Sequence, residues 1–336
     1  MVAKHLVDVI RGGIVESEHW GHIAVVNSEG KLIYSNGNPN RVTFARSSMK
    51  PLQAIPIVET GAADFYQFSQ ADLSLTCASH NGEDQHTNRV RMILKNLDES
   101  IDSLKCGTHP PRWQEKYEEL MISGKEVTAE YNNCSGKHCG MLSTAKFMGE
   151  SLEDYYKINH PVQRRIVEVI SDLCEIPLDE IEIGIDGCGV PVHGIPLKKL
   201  ALGFAKLANP ASLPAKRKQA IERITSAMME EPEMVGGTNR FCTDFMKIEK
   251  GRMFGKAGAE GVYCIGDIET GIGIAIKIED GNGRATSSVA VEVLKQLNLI
   301  TEEQSKLLKE YHYPELKNAR QEVIGQLRPS FSLENA

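Results

Sequence analysis

Strand-like patterning occurs at the two ends of this 336-residue chain and almost nowhere between them. Residues 6–15 are β-rich around Gly12-Gly13, His22-Ile23-Ala24-Val25-Val26 follows, and Ser28-Glu29-Gly30 turns into Leu32-Ile33-Tyr34. The pattern returns near Met253, where residues 261–265 and Ile272–Ile278 flank a hairpin connection at Asp267-Ile268-Glu269-Thr270-Gly271. The middle of the chain has helical periodicity at residues 71–77, 84–97, 113–122, 140–148, 161–173, 197–208 and 215–229. One short exception, residues 181–186, alternates like a strand. A strand without a neighbour leaves its backbone N–H and C=O groups unmet, so the terminal strands are expected to pair with one another. That order predicts an α/β fold of the α+β type in a single domain over 1–336. Its antiparallel sheet is built from about 1–45 and 250–330, and its helical lobe from about 46–249. A cleft between the two is the expected ligand site. Helices at 285–297 and 302–311 and a loose polar tail after Leu327 complete the chain.

Composition narrows the classes of function. Net charge is -7 with no long basic run, which excludes nucleic acid and anionic membrane as expected partners. The N-terminal residues lack a signal-peptide h-region, no stretch reaches membrane-spanning length, and a cytoplasmic location is expected. The eight cysteines then read as reduced thiols, most of them small buried hydrophobes.

Four short motifs carry chemistry. In Arg46-Ser47-Ser48-Met49-Lys50-Pro51, Ser47 and Ser48 are expected N-caps of an apolar helix, and Pro51 fits its first turn. Ser47 and Lys50 then share a face at i, i+3, placing an amine beside a hydroxyl. A lysine of lowered pKa activates a serine in this S-x-x-K arrangement. Alone the spacing is weak, since roughly one arises by chance in a chain of this length. Cys77-Ala78-Ser79-His80-Asn81-Gly82-Glu83 reads as a helix C-terminus stopped at Asn81-Gly82, with Ser79 at its end.

The third motif is Asn132-Asn133-Cys134-Ser135-Gly136-Lys137-His138-Cys139-Gly140. A helix starting near Cys134 would align Cys134, Lys137 and His138 on one face. Its remote companion is Asp186-Gly187-Cys188-Gly189, followed by His193. Two thiolates and one nitrogen suit zinc, although the spacing is not that of a zinc finger and buried structural cysteines are the more economical reading. The fourth, Gly255-Lys256-Ala257-Gly258, precedes an apolar strand. A Lys-x-Gly strand beside an S-x-x-K helix is the β-lactamase layout, with Ala257 where a threonine is usual.

Taken in order, these islands resemble the class 3 (Rhizobium etli type) L-asparaginases, the asparaginase II family, over nearly the whole chain. Arg11-Gly12 with Val15-Glu16-Ser17 and His19 completes the match. The resemblance implies a β-lactamase/penicillin-binding-protein-like fold, a homodimer, and hydrolysis of L-asparagine to L-aspartate and ammonia. It implies two Ser–Lys pairs, Ser47 with Lys50 and Ser79 with Lys256. It further implies zinc on Cys134, Lys137 and Cys188, and substrate-binding roles for Arg46, His138, Asp186 and Cys242. The shorter loop before Lys256 and the alanine at 257 depart from the family pattern.

The expected mechanism is acyl transfer through a serine, with either Ser47 or Ser79 as nucleophile. Three alternatives stand beside it: attack by zinc-bound water, a β-lactamase- or glutaminase-type hydrolase acting on another amide, and a zinc-dependent small-molecule binding module. The absent export signal and the lack of a Ser-Asp-Asn triplet weigh against a penicillin-binding enzyme.

Overall fold

The computed structural model describes residues 2–336, and residue 1 of the expected sheet lobe lies outside them. Its strands, in chain order, are β1 (Lys4–Arg11), β2 (Ile14–Asn27), β3 (Leu32–Asn36), β4 (Val42–Phe44), β5 (Glu182–Ile185) and β6 (Pro191–Pro196). The C-terminal strands are β7 (Met253–Gly258), β8 (Val262–Asp267), β9 (Ile272–Ile278), β10 (Glu315–Lys317), β11 (Val323–Pro329) and β12 (Glu334–Asn335).

The chain divides into two compact units. The sheet unit comprises residues 2–48, Ile195–Asn209 and Gly255–Ala336. Its sheet runs β10-β11-β1-β2-β9-β8-β7, with β3 also on β2 and β12 on β3. Strands from the two chain ends therefore share one sheet as expected, with β2 paired antiparallel to β9 through Ile23↔Ile276 and Val25↔Ile274. Ile23, Ala24, Val25 and Val26 are all buried, so this part of β2 is covered on both faces. The helices Leu197–Ala208 and Thr286–Gln296 supply that cover. Gly273 on β9 lies so close to the backbone of Ala201 and Ala205 that any β-carbon would collide with it.

Two expectations change here. Leu197–Ala208 belongs to the sheet unit rather than the helical lobe, because the sheet's apolar face needs a helix over it. The tail after Leu327 is not loose: β11 pairs with β1 and β12 with β3, satisfying strand edges that would otherwise be bare.

The helical unit comprises Met49–Gly194 and Pro210–Phe254. Its centre is the helix Lys50–Glu59, buried from Lys50 through Val58 and packed by the helices Ser135–Phe147, Pro161–Cys174 and Ala215–Glu230. Pro51 occupies the first turn, where its missing N–H breaks no bond. Ser47 and Ser48 are not the N-caps. They lie in a 3-10 turn, Arg46–Met49, and Met49 caps the helix without a side-chain bond. The Ser48 hydroxyl instead donates to Ala45 O at 2.7 Å, which tightens the turn. The helix Phe241–Glu249 had no counterpart in the sequence reading. Among the described residues, no helix is long and apolar enough to cross a membrane.

Candidate active site

Helix packing fixes the neighbourhood of Lys50. The helix Ser135–Phe147 presents Gly136 and Gly140 on one face at i, i+4. A β-carbon on Gly136 would strike the Leu75 carbonyl, and one on Gly140 would strike Ile57. Two glycines thus let the helices Gln70–Thr76 and Lys50–Glu59 close onto it. The chain leaving Gln70–Thr76 through Cys77 then delivers Ser79, held by its N–H donating to Val235 O at 2.9 Å.

Lys50 is fully buried, not the solvated lysine of a surface helix. Its Nζ donates to Ala78 O, lies 3.2 Å from Ser79 Oγ, and reaches Asn133 O at 3.4 Å. The amine of the S-x-x-K motif therefore meets Ser79, at the end of the second motif. His80 is buried beside it: the Gly82 N–H donates to Nδ1, so Nε2 carries the proton and donates to Ser135 Oγ at 2.8 Å. Burial, then the positive field of His86 and Lys50, holds His80 well below the ordinary histidine range.

Asn133 joins this site to the thiols. Cys134 precedes the helix Ser135–Phe147, Lys137 lies on its first turn, and Cys188 sits in the tight turn between β5 and β6. That turn is closed by Asp186 N donating to Val190 O and Gly189 N donating to Asp186 O. Lys137 Nζ is 3.1 Å from Cys188 Sγ, and Cys188 Sγ is 3.9 Å from Asp186 Oδ2. A hydrogen bond from Cys134 pulls Cys188 down to about 5 against its burial, helped by the charge of Lys137. The same bond, with burial, pushes Cys134 up to about 12. Burial opposes the charge of Lys137, yet Cys188 and Cys134 hold its pKa above the ordinary lysine value. Lys50 also acts on both thiols, so the Ser–Lys pair and the thiol set form one constellation.

This donor set fits zinc. Two sulfurs and one amine converge in a buried place, one sulfur already favours the thiolate, and the protons on the others are those a divalent cation displaces. His138 adds a buried polar group with a free end. Its Nδ1 is 2.7 Å from the Tyr155 hydroxyl, which accepts from Lys105 N, while Nε2 has no hydrogen-bond partner. Burial and Lys137 push His138 down to about 3, so the ring is neutral. His193, also buried, is pushed down to about 4 by burial and then by Lys137.

The remaining expected residues are Cys242, Arg46, Ser47 and Lys256. Cys242 is buried at the start of Phe241–Glu249. Arg46, Ser47 and Lys256 belong to the sheet unit. Arg46 has a left-handed φ of 53° and approaches Glu260 at 3.8 Å. Lys256 on β7 is 1% exposed, and its Nζ donates to Ala257 O at 2.8 Å. Gly258 brings the Lys-x-Gly strand against the Ser47 turn: a β-carbon there would stand 2.6 Å from Ala45 O and 3.3 Å from Ser48 N. Sequence reasoning missed Tyr155 and Asn133. Tyr155 has no motif around it; Asn133 lies inside the third motif but acts through its backbone carbonyl, which residue type does not reveal.

The sequence model of a family described as L-asparaginase II matches residues 7–329. No curated protein matches the chain. Among solved structures, a β-lactamase from Mycobacterium bovis is similar at 14% identity, covering 87% of this chain and 95% of its own, with a TM-score of 0.39. The octameric penicillin-binding protein homologue from Pyrococcus abyssi is similar at 16% identity, covering 85% and 75%, with a TM-score of 0.43. A D-alanine carboxypeptidase from Burkholderia cenocepacia is similar at 15% identity, covering 78% and 88%, with a TM-score of 0.38.

Proposed function

Because the chain belongs to the L-asparaginase II family and is a hydrolase acting on amides, we propose that it hydrolyses the side-chain amide of L-asparagine to L-aspartate and ammonia, with Ser79 as nucleophile and Lys50 as its base. The observation that carries this reading is the buried Lys50 Nζ at 3.2 Å from Ser79 Oγ. In the neutral amine, two N–H groups are satisfied by the carbonyls of Ala78 and Asn133, and the lone pair is left for the serine proton.

Ser79 Oγ then attacks the amide carbon of the substrate side chain, its proton passing to Lys50. That proton is returned to the leaving nitrogen, which departs as ammonia and leaves a β-aspartyl ester on Ser79. Water, deprotonated by the same amine, cleaves the ester and restores the serine. Ser47 and Lys256, which the family pattern also names, stay in this reading as catalytic residues.

Zinc, bound by Cys134, Lys137 and Cys188, would supply positive charge for holding the substrate's carboxylate. His138 supports the same place, since its Nε2 is a buried polar atom without a hydrogen-bond partner. Arg46, Asp186 and Cys242 remain proposed substrate-binding residues, and the homodimer is part of the same reading.

Ammonia release from L-asparagine and L-glutamine, each with and without chelator, tests the proposal. It stands if asparagine is turned over with stoichiometric aspartate. It falls if neither amide yields ammonia while the protein still holds zinc, which would favour the binding module.

A further inference from the structure

We propose a divalent transition-metal site on the sheet unit, formed by His5, Asp8 and Glu18. One donor atom from each of these residues lies within 4.8 Å of the other two. Asp8 on β1 stands directly opposite Glu18 on β2, a like-charge pair that a sheet does not favour by itself. His5 is three residues from Asp8, and in a regular strand that spacing would put the two on opposite faces. The ladder is irregular between His5 and Val7, and this bulge re-aims His5 toward Asp8.

The donor atoms face one another, His5 Nε2 and Asp8 Oδ1 as an ion pair. Arg328 on β11 donates to Asp8 Oδ2 at 3.1 Å, and Trp20 Nε1 donates to Glu18 Oε2 at 3.0 Å. Each carboxylate thus commits one oxygen to an orienting bond and keeps the other. His5 Nε2 comes within 3.0 Å of Asp8 Oδ1 but without the alignment of a hydrogen bond, and it is buried with no hydrogen-bond partner. Asp8 itself has only 7% of its side chain exposed. One arginine offsets one of the two carboxylates, and a cation between the three donors would offset the other. An imidazole with two carboxylates selects Mn²⁺, Fe²⁺, Co²⁺ or Zn²⁺ over Ca²⁺ and Mg²⁺, which take all-oxygen sets.

The site has its own reporter. The chain has two tryptophans, Trp20 and Trp113, and the Trp20 ring centroid is 5.5 Å from that of His5. In the full chain carrying Trp113→Phe and stripped with chelator, titration with Co²⁺ should quench most of the Trp20 emission in a saturable way. His5→Ala and Glu18→Gln should each weaken that binding by more than the about 10- to 100-fold that loss of an outer-shell partner costs. Adding Cys188→Ser, which disables the thiol set, should leave the Trp20 titration unchanged. The proposal is overturned if Co²⁺ leaves Trp20 emission unmoved while cobalt–thiolate absorption develops. It is equally overturned if His5→Ala and Glu18→Gln are quenched like the parent.

Discussion

Lys50 Nζ and Ser79 Oγ stand 3.2 Å apart in the helical unit, the lysine brought there by a helix start and the serine by a helix end twenty-nine residues later. Neither motif contains the other's partner, and Gly136 and Gly140 are what let the two helices approach the one between them. If this pair performs the chemistry, Ser79→Ala should lower kcat by about 10⁴-fold or more with the fold unchanged by circular dichroism. Acid-quenched protein should carry a β-aspartyl adduct on the peptide containing Ser79. An adduct on the Ser47 peptide would transfer the nucleophile's role to that residue.

Metal removal separates binding from chemistry. With Cys134, Lys137 and Cys188 holding zinc for substrate capture, chelation should raise KM more than it lowers kcat, and added zinc should reverse the change. A fall in kcat with KM unchanged would favour a zinc-activated water. Metal analysis of protein purified without chelator should find zinc, and its loss in Cys188→Ser would locate it.

His80 ties stability to pH. Its folded pKa lies well below the ordinary value of 6.5, so the unfolded chain takes up a proton that the native protein refuses. Stability from this group is therefore fully present above pH 6.5 and declines as pH falls below it, by up to about 1.4 kcal/mol per pH unit. Urea titrations across pH 5 to 7 should show this slope, and His80→Gln should flatten it. An unchanged slope in the variant would mean that His80 is not the group excluded from protonation.

Gly136 is predicted to be the most sensitive glycine of the helical unit. Gly136→Ala would push a methyl group into the Leu75 carbonyl, and overpacking of this kind costs about 1–3 kcal/mol. The shift should also move Ser79 relative to Lys50, lowering kcat along with the urea midpoint. A variant as stable and as active as the parent would show that the helix contact is not what sets the pair.

Much of this was legible in the sequence, for identifiable reasons. The terminal sheet was readable because β-branched runs such as Ile23–Val26 and Ile272–Ile278 announce strands that must find partners. Residues 197–208 were readable as a helix but not as part of the sheet unit, because periodicity marks an apolar face and not what covers it. The tail's pairing was hidden by its polar residues, since β11 and β12 are largely exposed strands joined to the sheet through backbone bonds. At the site, the grouping of Cys134 and Lys137 with Cys188 was implied by the family resemblance and not by spacing, since the two segments lie about fifty residues apart. The meeting of Lys50 with Ser79 was not, since i, i+3 spacing pointed to Ser47. The segment opens with a 3-10 turn at Arg46–Met49 before the α-helix begins at Lys50.

The most direct test of the central claim is steady-state ammonia release from L-asparagine by Lys50→Arg beside the parent enzyme. Arginine keeps the hydrogen-bonding capacity but cannot give up its proton in a protein. The account predicts that the parent releases ammonia and aspartate in equal amounts. It predicts that Lys50→Arg, folded by circular dichroism and urea titration, loses about 10²- to 10⁴-fold or more in kcat. A folded Lys50→Arg enzyme turning over asparagine within a few-fold of the parent would contradict a lysine base at Ser79.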